Sequence, residues 1–528
     1  MKYLYTTTLL IVFTNSLFAQ VDTLILDSLY APAQAIGDSL GGEREGFWTF
    51  LNAKGDTLER GYYTAGEKDS VWRTYDLEVG EVTEARYTKN VLNGPFRLYN
   101  TEGNVLMSGN YVDGIESGKW LEYHSNRQIR TSGEFQNGLK EGDWFVFHEN
   151  GQKAIDSEYK NGWLTGSYYE YNDYGVILLE TSYQENIPDG DWREFNLIGD
   201  LIITGKYENK GRTGTWKTYH DNGNQYAREE YLEGKANGVW WYYDETRTVT
   251  QKKTYEDGWL QGQSITYHSN GKPNRIEWYT KGDLDSAYKE LHRDGVLAVE
   301  GQYVYGGRNG AWITYHTNGK ISAAGNYVWD AADSTWEFYS EQGILLSKGD
   351  YQIGLEHGQW FSFYSNGGIA SIGSYRYGEK DGLWGHFYPN GDLMREERWT
   401  RGRLLSIEKS LDGKGEALSA GSLQEGSGSV LLYHRNGKLA EDLYFTNGWL
   451  DGKYSTYYTN GNKEAVGAFV LGLKHGDWKN YHRNGNLESV GEYTHGEKSG
   501  YWRYYDSEGN MIDYIEHEGE EEISILTR

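Results

Sequence analysis

The chain has 528 residues, with 69 Gly, only 5 Pro, no Cys and 16% aromatic side chains. This composition excludes collagen and disorder, and the missing Cys removes disulfides, thiolate metal sites and a cysteine nucleophile. A formal charge of -26 sets the surface against nucleic acid phosphates and anionic lipid headgroups, so no nucleic acid partner and no lipid binding are expected.

In chain order, residues 1–19 carry Lys2, an apolar stretch from Leu9 to Phe13 and a small residue at Ala19. They predict a secretory signal peptide, because the apolar run is too short to anchor in a bilayer, and a mature chain beginning at Gln20. Residues 20–45 follow as a lead and N-terminal cap. From residue 46 a repeat of 24 residues takes over: Trp48, Trp72, Trp120, Trp144, Trp192, Trp216, Trp240, Trp312, Trp336, Trp360 and Trp384 all keep one register. Phe96, Tyr168, Ser264, Tyr288 and Glu408 occupy the same slot. The pattern Gly142-x-Trp144-x-x-Phe147-x-x-Asn150-Gly151, then Tyr159 and Gly162, describes one unit. Sixteen such units fill 46–423. A two-residue loss then falls in 424–427, expected to be a shortened hinge loop. Four more units, centred on Val430, Tyr454, Trp478 and Trp502, run over 428–519, and 520–528 is an acidic tail.

A period of 24 with Asn-Gly in the middle is too short for two helices and suits two strands. The sequence therefore predicts an all-β, elongated repeat protein of about 20 stacked antiparallel β-hairpins in a twisted single-sheet meander. Asn150-Gly151 is expected to form a hairpin turn with positive φ at both residues. The connection around Gly162 is expected to be longer. Each hairpin alone is marginal, so cohesion must come from aromatic ladders between neighbours, roughly 0.2 to 1 kcal/mol per cross-strand pair. Alternation along a strand sends the Trp slot and the aromatic slot three residues later to opposite faces unless a bulge intervenes.

The unit Gly142-x-Trp144-x-x-Phe147-x-x-Asn150-Gly151 and its copies resemble the bacterial variant of MORN repeats, over about residues 46–519. That resemblance implies stacked hairpins serving as a scaffold or interaction surface, with no catalytic residues to carry over. Some bacterial members are labelled antitoxins, and lipid binding has been attached to MORN repeats. A second resemblance, of the Gly-x-Trp-x-x-Tyr run to cell-wall-binding repeats, implies a carbohydrate or choline binder.

Two sets of side chains stand out as candidate partner-facing residues. Trp163, Trp259 and Trp449 share the motif Gly-Trp-Leu-x-Gly, and each precedes a unit whose Trp slot is Tyr168, Ser264 or Tyr454. The simplest expectation is that the extra indole refills that missing volume; the alternative is an exposed aromatic platform. His268, His292 and His316 belong to a recurrent His slot before the first turn. Neighbouring units lie about 9.5 Å apart, too far for one metal ion to be shared, so an amphipathic strand-end role is expected, with pH sensing as the alternative. Catalytic, cofactor and metal motifs are absent from the sequence. The expected function is an exported, non-enzymatic scaffold for a protein or cell-surface component; carbohydrate or choline binding and an immunity (antitoxin) role are alternatives.

Overall fold

The computed structural model describes residues 32–517, so the signal segment 1–19 and the tail 520–528 lie outside the described residues. Every regular element described is a β-strand, and the strands pair antiparallel. The chain divides into two compact units, residues 1–247 and 248–528. The first is a meander from Gln34 to Tyr243. The second contains a meander from Val249 to Ser410 and an eight-stranded sheet from Gly428 to His517. Between these two sheets Leu404, Leu423, Val430 and Leu443 form a buried aliphatic cluster, packed by Trp399, Phe445 and Tyr454.

The repeat can be followed through strands Leu139–Phe147, Lys153–Lys160 and Trp163–Tyr171. At the first turn the His148 carbonyl accepts from Gly151 N–H at 2.8 Å, and positive φ is confined to Gly151, at 84°. This is a type I turn closed by a left-handed glycine, and it corrects the expectation of positive φ at both Asn150 and Gly151. The second connection is the two-residue turn instead. Asn161 (φ 49°) and Gly162 (φ 82°) join Lys160 directly to its partner Trp163, so the longer loop expected there is also corrected.

Asn150 is selected by its side chain. Its Oδ1 accepts from Gln152 N–H at 3.0 Å, and its Nδ2 donates to the Asp173 carbonyl one repeat ahead at 2.6 Å. Asn126, Asn270, Asn318 and Asn484 repeat that inter-repeat bond. Each satisfies a turn carbonyl that the strand ladder leaves open.

A bulge precedes each Trp slot: Ser132 pairs Phe145 and Glu134 pairs Glu141, leaving Gly142-Asp143-Trp144 opposite Gly133. The bulge lays the indole over the preceding strand. A Cβ on Gly133 would lie 2.1 Å from the Trp144 ring, and Gly61, Gly109, Gly205, Gly325 and Gly373 stand in the same relation to the next Trp. The strand glycine thus exists for close approach of an indole. The ring then donates Nε1–H to a backbone carbonyl ten residues earlier, as Trp72 does to Tyr62 at 2.9 Å and Trp384 to Ser374 at 3.1 Å. Four residues before most of these Trp residues, a Lys or Arg covers the other ring face: Lys68 over Trp72 at 4.1 Å, Lys140 over Trp144 at 4.2 Å and Lys474 over Trp478 at 4.4 Å. The indole is therefore a slab between a glycine and a cation, the cation contributing on the order of 0.5 to 2 kcal/mol.

Neighbouring slabs are linked edge to face through the Tyr slot. Tyr303, Trp312, Tyr327 and Trp336 follow each other at centroid distances of 5.3, 5.8 and 5.1 Å, a geometry worth about 0.5 to 1.5 kcal/mol per pair beyond burial. The residue two after the Trp shares this face, as in Trp336–Phe338. The residues one and three after it share the other, as in Phe145–Phe147 and Phe361–Phe363. Both faces carry aromatic stripes.

Candidate functional site

Since the repeat explains most aromatics by packing, the informative ones are those it leaves outside. At the first position of the two-residue turn, most units place a residue that tolerates left-handed backbone or a charged one, such as Asn137, Asn161 and Asp257. Four consecutive units instead place Tyr305 (φ 47°), Trp329 (φ 49°), Ile353 (φ 52°) and Tyr377 (φ 54°). These side chains are 79%, 59%, 81% and 67% exposed. A bulky or β-branched residue in this region costs about 1 to 2 kcal/mol in backbone strain. Burial does not repay that cost, since all four project to solvent.

The turn tips recur every second strand, about 9.6 Å apart, so the four form a row about 29 Å long. It is bounded in the same slot by exposed Lys281 and Arg401. Beneath the row, Arg308 Nε binds Asp330 Oδ1 at 3.0 Å and its guanidinium lies 4.0 Å from the Tyr327 ring centroid. The Arg308 backbone N–H, and then its guanidinium, hold the Asp330 carboxyl below its usual range. Trp329 rests against Gly307, where an added Cβ would lie 3.2 Å from its ring. Tyr377 is flanked by the His357 ring at 6.1 Å. The result is a line of apolar tips on a polar, braced turn edge.

Trp163, Trp259 and Trp449 lie at the same type of edge, two residues after the turn tip. They are 52%, 59% and 46% exposed. They do not refill the volume of the next unit, which corrects that expectation; the adjoining Leu164, Leu260 and Leu450 point inward and are partly buried. Trp163 continues a row begun by Val91, Ile115 and Leu139, each 43% to 48% exposed. Leu139 packs on the turn glycine of the next unit, Gly162, and Trp259 packs likewise on Gly282.

The structure separates His268, His292 and His316 from this edge and places them at the first turns. Their Nε2 atoms meet the carbonyls of Leu291, Tyr315 and Tyr339 in the following repeat at 2.9, 3.4 and 2.9 Å. A carbonyl only accepts, so each ring donates from Nε2–H. Tyr364, Tyr388 and Tyr458 donate from the same slot to the equivalent carbonyl. The His residues are staples between repeats. Among the described residues no group of His, Asp and Glu has metal-binding geometry, and no helix is long and apolar enough to cross a membrane.

One buried polar cluster departs from the pattern. Glu397 replaces the strand glycine before Glu408, where no indole needs the space. Burial alone would push its carboxyl up; His386, Arg395 and Trp399 together hold it well below the carboxylate range. It accepts from Arg395 Nε at 2.5 Å and from Trp399 Nε1 at 2.9 Å. This cluster substitutes for a missing slab.

The turn-edge row escaped sequence reading because its slot has no consensus. The available signal was the departure itself, a polar position that becomes Tyr, Trp, Ile and Tyr in four successive units.

Residues 140–161, 212–232, 308–328, 356–377 and 474–495 match the MORN repeat variant family. No curated protein matches the chain. Among solved structures, similarity extends to the crystal structure of TcdB2-TccC3, at 10% identity over 87% of this chain and 27% of that chain with a TM-score of 0.13. It extends also to the Photorhabdus luminescens Tc holotoxin pore, at 10% identity over 87% of this chain and 30% of that one, TM-score 0.11. The chain spans less than a third of either chain's length, and at these scores the likeness carries no argument.

Proposed function

We propose that this chain, a MORN-repeat protein, is an exported, non-enzymatic scaffold that holds a protein partner along the turn edge of its second unit. The observation that carries the reading is the row Tyr305, Trp329, Ile353 and Tyr377, large apolar side chains kept exposed in a backbone region that disfavours them. Strain retained without a packing return points to contact outside the molecule. The partner surface that fits is an apolar strip flanked by acidic residues, matching Lys281 and Arg401 at the two ends. A rigid ladder of repeats supports this role, because it fixes the spacing of the tips while each repeat depends mainly on its neighbours.

Affinity purification of the exported chain with mass spectrometry tests the reading. The recovered chain is expected to begin at Gln20, and a protein is expected to be retained that a Tyr305→Asn, Trp329→Asn, Ile353→Asn, Tyr377→Asn variant releases. Equal retention by the variant contradicts it. Recovery of polysaccharide alone, with quenching of the exposed indoles Trp163, Trp259 and Trp449, favours the carbohydrate reading instead.

A further inference from the structure

The slab arrangement defines a seat in which two units carry a carboxylate in place of the cation; of these, Trp120 is buried and stacked on Phe96, while Trp360 is only partly buried. Where Trp and the following Tyr meet edge to face, a Lys or Arg four residues before the Trp covers both rings: Lys140 lies 4.2 Å from the Trp144 centroid and 4.8 Å from Tyr159, Lys474 4.4 Å from Trp478 and 4.9 Å from Tyr493. In the unit of Trp360 that register position is Glu356, and in the unit of Trp120 it is Glu116. The rings remain. Tyr351 and Tyr375 flank Trp360 at 5.3 and 5.8 Å, edge to face, and Tyr111 and Phe135 flank Trp120 at 5.4 and 5.7 Å.

A carboxylate placed among aromatic faces is poorly matched, because the ring faces are themselves electronegative. The carboxylates lie close enough to act on the phenols. Burial, and after it Glu116, pushes Tyr111 up to about 12; burial and then Glu356 raise Tyr351 and Tyr375. Among the described residues neither Glu116 nor Glu356 has a Lys or Arg within ion-pair distance. The cations one repeat ahead, Lys140 and Lys380, are engaged over their own rings.

We infer that the Glu356–Trp360–Tyr375 seat binds an external alkylammonium or guanidinium group, which takes the place that Lys140 and Lys474 hold over their own Trp rings. The carboxylate supplies the counter-charge and the indole and phenyl faces supply the cation–π surface. This inference stands independently of the turn-edge reading, since it concerns a sheet face and a different chemical group.

The test is 19F NMR of the full chain labelled with fluorotryptophan, its signals assigned by single Trp→Phe variants. It is titrated with tetramethylammonium chloride, N-acetyl-lysine amide and N-acetyl-arginine amide against sodium chloride at matched ionic strength. The Trp360 signal is expected to shift with saturation. Those of Trp144, Trp384, Trp478 and Trp502, whose seats are filled, are expected to stay within the salt control. A response to tetramethylammonium as well as the blocked amino acids identifies a general amine seat; a response to the amino acid probes alone identifies a side-chain seat. Glu356→Lys is expected to abolish the Trp360 shift, Glu356→Gln to weaken binding about threefold, as loss of an exposed ion pair would, and Lys140→Glu to make Trp144 responsive. A silent Trp360, or a Trp360 shift that survives Glu356→Lys, overturns the inference.

Discussion

Gly373→Val is expected to destabilise its repeat by about 3 kcal/mol, the upper range for overpacking a filled site. Even a single Cβ at this position would lie 2.0 Å from the Trp384 ring. The indole must then lift from the strand, giving up its bond to the Ser374 carbonyl and its edge contact with Tyr375. The chain itself indicates how the damage can be relieved. Wherever the slot holds Phe96, Tyr168, Ser264, Tyr288, Glu408 or Tyr454, the residue eleven earlier is Ala85, Ser157, Lys253, Glu277, Glu397 or Leu443, and the residue four earlier is Leu. Combining Gly373→Ser with Lys380→Leu and Trp384→Tyr reproduces the Ser157, Leu164 and Tyr168 set. The combination is expected to be more stable than the sum of the single effects by about 1 kcal/mol or more, as for residues in direct contact. Denaturant unfolding, with amide exchange to locate the loss in the 360–400 region, measures both quantities.

Trp336→Ala is expected to cost about 3 to 5 kcal/mol, the range for deleting a buried large aromatic. Trp336 is buried, donates to the Asn326 carbonyl at 3.1 Å, and contacts Tyr327, Phe338 and Tyr351. Since neighbouring repeats depend on one another, exchange protection should fall from about Trp312 to Trp360 and remain unchanged around Trp478 and Trp502. Trp329→Ala, seven residues away, should lie within about 0.5 kcal/mol of the parent, as for surface substitutions. The contrast separates indoles that hold the sheet from indoles that face outward.

The repeat and its strands are legible in the sequence because a 24-residue period repeats the same aromatic slots often enough to be counted. The turn chemistry is legible only in part. Asn-Gly occurs both as Asn150-Gly151 and as Asn161-Gly162, and the dipeptide alone does not tell a side-chain-bonded Asn in a type I turn from a left-handed one. Trp163 reads as filler because Tyr168 follows it, yet Leu164, the next residue in the same motif, is the inward-pointing one. The strand glycines stand eleven residues before most slot Trp residues, Trp192 (Thr181) and Trp240 (Glu229) excepted, but are mixed with turn glycines such as Gly151 and Gly162. Gly133 and Gly373 need no positive φ; they are required by the ring above them. The tip row was least legible, since it is defined by departure from a polar position and by exposure.

Thermal and denaturant unfolding of the Tyr305→Asn, Trp329→Asn, Ile353→Asn, Tyr377→Asn variant tests most directly whether these tips are kept for contact and not for folding. Asn accepts left-handed backbone at lower cost, so the variant should gain about 2 kcal/mol in total while losing its partner. A loss of stability of that size would mean that the four side chains are structural, and the turn edge would no longer stand as the binding surface.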